Sequence, residues 1–344
     1  MPGTPIRHAA AWMARDYPTK DSFAFDLGAR HVAALEKAAA AVRGRRMEDI
    51  GPDAFDLSAI AEDVARVRDT VLHGRGFLLL RGFPVDRDLD TVMAMYWGLG
   101  AHLGRAVSQS LMGDRIGHVL DASRGNEHAR GYRSARELDP HTDSDDVVGL
   151  LCLRPGIEGG ESLLSCALHM HNVLLAEAPD QLRVLNRGFH YHWNGEEPEG
   201  EPPITSYPIP VFSEQEGTWS TVYLRHFINK AFDEAGGTPD EDKAALDAMD
   251  AVARRDDVQL RFRLEAGEAI LFNNYTCLHA RTSFVDHPDQ GRHRHLLRLW
   301  LQARPPRPVH PAVRRYYGTD GMPFQARGAA RYAGDTMAGS VSAA

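Results

Sequence analysis

Cysteine is scarce in this chain, with Cys152, Cys166 and Cys277 the only three in 344 residues. Three thiols with apolar neighbours make no disulfide framework and read as reduced, buried side chains. Long hydrophobic runs are missing too, and no stretch approaches the roughly 20 apolar residues of a membrane span. The start, Met1-Pro2-Gly3-Thr4-Pro5-Ile6-Arg7-His8, has neither the basic nor the apolar region of a secretory signal. A cytoplasmic, membrane-free protein is therefore expected. Basic clusters are also few. Acidic residues outnumber basic ones, 47 to 39, and the net charge is −8. Arg292, Arg294 and Arg298 form one local basic run, interleaved with histidines. No nucleic-acid-binding face is implied, and the net charge reads as solubility. No internal repeat is evident.

What is present is an ordinary globular composition, 43% hydrophobic and 25% charged. The first third reads as a helical layer. Helices are expected over about 29–43, over the stretch carrying Ile60, Val64, Val67 and Val71, and over 88–103, with a buried strand at Gly76–Pro84. Short strands then dominate: Val107–Ser110, Ile116–Val119, Val147–Leu153, Glu161–Cys166, Pro210–Phe212, Thr218–Leu224, Val258–Leu264, Ala269–Phe272 and Arg294–Gln302. A helix over about 168–186, interrupted at Pro179, and another opened by Thr238-Pro239-Asp240-Glu241 are inserted among them. After Pro305 the composition turns to Pro, Gly, Ala and Arg, with a poorly structured tail after about Gly334. The expectation is a single domain over 1–344: a helical N-terminal layer with its first strand (1–104), a mainly β barrel core with inserted helices and a lid (105–304), and a C-terminal extension (305–344).

Chemistry concentrates at Leu138-Asp139-Pro140-His141-Thr142-Asp143-Ser144-Asp145-Asp146. In an extended segment His141 and Asp143, two residues apart, share a face and can converge on one metal ion. His279, far downstream, is a candidate third ligand. Two histidines and a carboxylate with open positions form the facial set of non-haem Fe(II) oxygenases. The pairs His169/His171, His190/His192 and His293/His295 share the spacing but have no carboxylate in the alternate position. Arg294 and Arg298 fall on one face of an otherwise apolar strand. A buried guanidinium needs an anion. That anion is either a protein carboxylate or one end of a bound acid held bidentately.

His141-Thr142-Asp143, Gly159-Gly160-Glu161-Ser162, Asn273-Asn274 through Leu278-His279-Ala280-Arg281, and Arg294-His295-Leu296-Leu297-Arg298 occur in that order. Together they resemble the TauD/TfdA family of Fe(II)/2-oxoglutarate-dependent dioxygenases, the clavaminate-synthase-like branch above all. The resemblance spans roughly 75–302 and implies a double-stranded β-helix, a jelly-roll relative. It implies His141, Asp143 and His279 as iron ligands and Arg294 as the anchor of the distal carboxylate of 2-oxoglutarate, with Ser162 assisting. It also implies oxidation of a C–H bond in a small organic substrate by O2, with succinate and CO2 as coproducts. Many amino-acid hydroxylases of that branch carry His-x-Glu, so His-x-Asp weakens a free amino acid as the substrate. The presence of Asp143 argues against the halogenating relatives. Substrate contacts are sought among Arg298, Gln109, Asp146 (or its neighbour Asp145) and Tyr223, with segments 121–137 and 194–210 as lids. Two rivals are a cupin-type metalloenzyme and a non-catalytic metal-binding barrel, neither of which has a use for Arg294. Nothing in the sequence sets the oligomeric state.

Overall fold

Alternation of apolar side chains along a few long strands sets the layering. The structure, a computed structural model, describes residues 3–121, 133–197, 200–313 and 319–324. The expected tail after Gly334 and most of segment 121–137 lie outside them.

The chain opens with β1 (Ala24–Asp26), α1 (Ala29–Ala41), α2 (Ala61–Leu72), β2 (Phe77–Arg81) and α3 (Leu89–Leu103). On α2, Val64, Val67 and Val71 form one buried stripe at helical spacing. Asp88 caps α3, its carboxylate accepting the Thr91 N–H. Next come β3 (Arg105–Ala106), β4 (Ile116–Val119), β5 (Leu138–His141), β6 (Val147–Arg154), β7 (Glu158–Gly159) and β8 (Ser162–Cys166). The helices α4 (Ala167–Glu177) and α5 (Pro179–Arg187) break at Ala178, because proline starts a helix without needing its missing N–H. The hairpin β9 (Phe212–Gln215) and β10 (Thr218–Thr221) precedes α6 (Arg225–Glu234) and α7 (Asp240–Ala253). The chain continues as β11 (Gln259–Phe262), β12 (Ala269–Asn273), β13 (Cys277–Arg281), β14 (Phe284–Val285) and β15 (His295–Gln302).

Seven strands form the larger sheet, in the order β1-β2-β12-β6-β15-β3, with β4 also paired to β15. The smaller sheet runs β11-β8-β13-β5, with every neighbouring pair antiparallel. Along β2, Leu78 and Leu80 join the core under the N-terminal helices, while Phe77 and Leu79 join the core between the sheets. The same division repeats on β12 (Ala269 and Leu271 against Ile270 and Phe272) and on β15 (Leu297, Leu299 and Leu301 against Leu296 and Trp300). Leu278 of the smaller sheet packs in a third core with α4, α5 and α7. Helices thus cover both outer faces, and the inner faces enclose a core of their own. This is the mainly β, double-stranded β-helix layout that the family resemblance implied.

The strand expected at Val107–Ser110 is displaced to Arg105–Ala106. Beyond it the chain peels off β15, and Ser108 bridges to Gly321. The helix α6 and strands β5 and β13 had no counterpart in the expected elements. Residues 319–324 are more than an extension, since Asp320 pairs with Arg105 and Arg115 and Met322 is buried in the inter-sheet core. No helix among the described residues is long and apolar enough to cross a membrane.

Packing between α3 and the preceding segment is tight enough to test. A Cβ at Gly98 would fall within the ring of buried Phe55. Gly98→Ala is expected to destabilise the protein by about 1–3 kcal/mol through overpacking, seen as a lower urea midpoint. An unchanged midpoint would show that Phe55 yields freely.

Candidate active site

The first two histidines meet through strand register. On the smaller sheet His279 of β13 is the direct partner of His141 on β5, which closes the long sequence gap between them. Their rings lie 4.2 Å apart, and Phe272 from the facing sheet packs 4.9 Å from the His279 ring. Asp143 follows β5 by two residues. Its Oδ1 is 3.9 Å from His141 Nε2 and its Oδ2 is 3.6 Å from His279 Nε2. Donors around one ion at bonds of roughly 2.0–2.2 Å lie about 3–4 Å apart, so these three side chains fit a single first-row metal ion. Among the described residues they are the only cluster of three or more His, Cys, Asp or Glu that could hold one.

The surroundings prepare the donors. His141 Nδ1 lies 2.7 Å from the Asp139 carbonyl, which fixes the ring and leaves Nε2 to face the cluster. Burial, then the neighbouring His141, pulls the His279 pKa down to about 3, so its imidazole is neutral and ready to ligate. Burial pushes the Asp143 carboxyl up, but Arg298 and the two histidines outweigh it and hold the pKa below the ordinary value. Trp300 Nε1 donates to Asp143 Oδ2 at 2.8 Å, and Arg298 Nη1 stands 3.5 Å from the same oxygen. The turn carrying Asp143 is clamped by buried Asn274. Asn274 Oδ1 accepts the Asp143 N–H at 2.7 Å, and its amide donates to the carbonyls of Asp143 and Asp145 at 2.9 and 2.8 Å.

These groups line one cavity between the sheets, together with Ser162, Arg281, Arg294 and Arg298 and an apolar wall that includes Leu150, Phe227 and Leu296. Its water-accessible space is about 210 Å³, well above the roughly 10–15 Å³ that holds one water. This is a binding cavity and not a packing defect. Arg294 is 4% exposed and stacks over Phe284 at 4.9 Å. Its Nη1 is buried with no hydrogen-bond partner. Asp286, a carboxylate that acts on it through space, spends Oδ1 on the Arg294 backbone N–H at 2.6 Å. Burial lowers the Arg294 pKa. A desolvated guanidinium with an idle N–H group fits an incoming carboxylate.

The structure does not bring all expected residues to this cavity. Arg298 lines it, yet its Nε donates to Gln109 Oε1 at 2.6 Å and its guanidinium stacks 4.7 Å from Trp300. Gln109 stands behind Arg298, its amide donating to the carbonyls of Arg298 and Arg115, both at 3.0 Å. A Cβ at Gly117 would lie 2.6 Å from Gln109 Oε1, so the absent side chain leaves room for this brace. Asp146 turns away to accept the Ala303 N–H at 2.9 Å, and Asp145 accepts from Gln302 at 3.0 Å. Tyr223 holds Thr142 through its backbone, while its hydroxyl donates to Asp250 at 2.6 Å in the outer helical core. Gln109, Asp146 and Tyr223 are therefore not among the residues that line this cavity. In segment 194–210, buried Glu196 reaches the cavity wall. Trp300 was not singled out from the sequence, and Asn274 and Arg281 stood in a quoted motif without a role. Strand alternation from Arg298 would have found Trp300, and the buried Asn274 could be found only by folding.

Asn274→Ala removes the clamp on the Asp143 turn. Metal affinity, measured by competition with a chelator, is expected to fall about 10–100-fold with the circular dichroism spectrum unchanged; wild-type affinity would mean that the turn holds its own shape. With its pKa near 3, the His279 ring of the metal-free protein is expected to stay neutral down to about pH 4 in NMR titrations of labelled imidazoles. A midpoint near the ordinary 6.5 would contradict the burial argument.

The model of the taurine catabolism dioxygenase TauD, TfdA family matches residues 42–300. FR-33289 synthase of Streptomyces rubellomurinus is 31% identical over 310 residues, covering 86% of this chain and 90% of that protein. The taurine hydroxylase-like protein SAT17 of Stachybotrys chartarum is 26% identical over 310 residues, covering 84% and 77%. Asparagine oxygenase in complex with Fe(II), 2S,3S-3-hydroxyasparagine and succinate superposes with a TM-score of 0.64 at 19% identity, over 81% of this chain and 93% of that one. The non-haem iron oxygenase OrfP in complex with Fe and α-ketoglutaric acid gives 0.62 at 13% identity, over 88% and 100%. These structures share the fold, and the family match covers most of the chain. The chain belongs to the TauD/TfdA family, the dioxygenases that work with Fe(II) and 2-oxoglutarate.

Proposed function

We propose that His141, Asp143 and His279 hold the iron, that Arg294 with Ser162 receives the distal carboxylate of 2-oxoglutarate, and that a small polar organic molecule is hydroxylated in the same cavity. The observation that carries this reading is the idle, buried Nη1 of Arg294 in the cavity that the three candidate ligands line. A cupin-type enzyme or an inert metal-binding barrel has no use for that group. When bound, iron and 2-oxoglutarate supply O2-driven oxidation of an unactivated C–H bond, releasing succinate and CO2. The chain itself supplies placement. Trp300 and Asn274 fix Asp143, Gln109 fixes Arg298, and the apolar wall keeps water from the reacting carbon.

Two features bear on the substrate. Asparagine oxygenase and OrfP are solved with hydroxylated asparagine and arginine, which supports a small polar substrate. Asp143 stands where the amino-acid hydroxylases of the clavaminate branch often carry Glu, so a free amino acid is one class among several small acids to screen. The three cysteines are free and buried, and burial pushes Cys152 and Cys166 up to about 12. Unreactive reduced thiols support a cytoplasmic location.

The test is anaerobic. Adding 2-oxoglutarate to the Fe(II) protein is expected to give the weak visible charge-transfer band of the chelate, and Arg294→Ala is expected to weaken cosubstrate binding at least about tenfold, the scale of a lost charged hydrogen bond. Absence of the band in the wild type, or unchanged affinity in the variant, would dismiss the cosubstrate assignment. Normal succinate release by Asp143→Ala would dismiss the metal triad.

A further inference from the structure

Arg281 is left over by the reading above. It lies on β13 two residues beyond His279, on the face of the sheet that lines the cavity. Only 6% of it is exposed, and its Nε and Nη1 are both buried with no hydrogen-bond partner. Its remaining nitrogen is committed, since Nη2 donates to the carbonyl of Ser134 at 2.7 Å and to that of Arg136. Asp121 is near enough to attract Arg281, yet it accepts nothing from the two idle nitrogens. A structural arginine would have its donors satisfied by protein groups, because leaving them desolvated and unpaired is destabilising.

Three relations place these idle donors at one end of the cavity. Arg281 is the direct cross-strand partner of Ser162 on β8. Both guanidiniums, Arg281 and Arg294, pack on the Phe284 ring, at 4.8 and 4.9 Å. Gly160, with φ of +67°, presents no side chain where a Cβ would lie 3.1 Å from Arg294 Nε. Two cations, a hydroxyl and a bare backbone therefore converge one strand step, about 6.6–6.8 Å, from the candidate metal ligand His279. That is the scale of a short diacid chelating the metal at its other end.

We propose that Arg281 is a second anchor for the distal carboxylate of 2-oxoglutarate, shared with Arg294; the inference rests on the cosubstrate reading given above. A carboxylate has two oxygens and about four acceptor sites, enough to take N–H groups from both guanidiniums and the Ser162 hydroxyl. It also relieves the repulsion between two cations buried side by side. Because Arg281 simultaneously holds the carbonyls of Ser134 and Arg136, just before β5, the cosubstrate's far end becomes tied to the segment that delivers His141. Loading 2-oxoglutarate thus tightens residues 133–137.

The experiment compares 2-oxoglutarate with 2-oxopentanoate, which keeps the chelating end and lacks the distal carboxylate. Binding to the metal-loaded protein is measured anaerobically by calorimetry for wild type, Arg281→Ala and Arg281→Lys, with metal affinity measured alongside. Arg281→Ala is expected to weaken 2-oxoglutarate about tenfold or more and leave 2-oxopentanoate unchanged, while 2-oxoglutarate slows amide exchange over 133–137 in wild type only. Arg281→Lys, which keeps the charge and the packing stem, is expected to fall between; if the alanine variant does not fold, it carries the comparison. Unchanged preference for the diacid assigns Arg281 to some other anion and overturns the proposal. Equal losses for both acids overturn it as well, since they mark a structural role. A wild type that binds neither acid defeats the cosubstrate reading itself, whereas normal wild-type binding with an indifferent variant defeats only this inference.

Discussion

The buried carboxylate of Asp143 is the group on which the rest of the site depends. A side chain only 9% exposed would be neutral in an apolar core, because desolvation raises a carboxyl pKa. It stays ionised because the Arg298 guanidinium and the Trp300 N–H stand beside it, and it faces two imidazoles. Each of those groups needs support of its own. Gln109 braces Arg298, the register of β13 against β5 sets the imidazoles next to each other, and Asn274 holds the turn. The network is coherent only as a whole, and Gln109, expected at the substrate, is one of its braces.

Layering explains how so many polar groups can be buried without unfolding the middle. Each long strand of the larger sheet sends alternate side chains to the helical layer and to the inter-sheet space. On β15 the helix-facing set is all leucine, at 297, 299 and 301. The opposite set, Leu296, Arg298 and Trp300, with Arg294 just ahead of the strand, faces the cavity. One strand therefore contributes both to the apolar core that stabilises the fold and to the charged wall that does chemistry. The cost of burying Arg294 and Arg281 with idle donors is carried by that surrounding packing, as is usual where a protein prepares a site for an absent charge.

Much of this was legible along the chain. The stripe on α2, the glycine-bounded β2, the break before Pro179 and the alternation on β15 all follow from local patterning, and each was found. The local rules failed at β5 and β13, the two strands that carry the histidines. β5 contains Pro140, which normally argues against a strand, and it is tolerated because β5 is the edge of the smaller sheet. β13, Cys277–Arg281, has no flanking glycine or proline to mark its bounds. Segment 107–110 failed for a different reason. Its residues read as extended, but Gln109 is drawn inward to Arg298, and Ser108 is taken up by Gly321.

By itself the sequence determined the residue types and their order: a histidine and a carboxylate two apart, a distant histidine, and arginines in alternation on an apolar strand. Those are local facts, and with the family resemblance they reach as far as iron and 2-oxoglutarate. Tertiary structure decided which polar residues face the cavity and which stand behind it. Strand register placed His279 against His141, and a clamp from Asn274 set Asp143 between them. Gln109, Asp146 and Tyr223 fell outside the cavity lining, and the guanidiniums of Arg281 and Arg294 came to one ring. The reason is that a side chain's role depends on whether its hydrogen-bonding groups are already satisfied. Satisfaction is a property of neighbours far apart in the chain, which only the closed fold brings within reach.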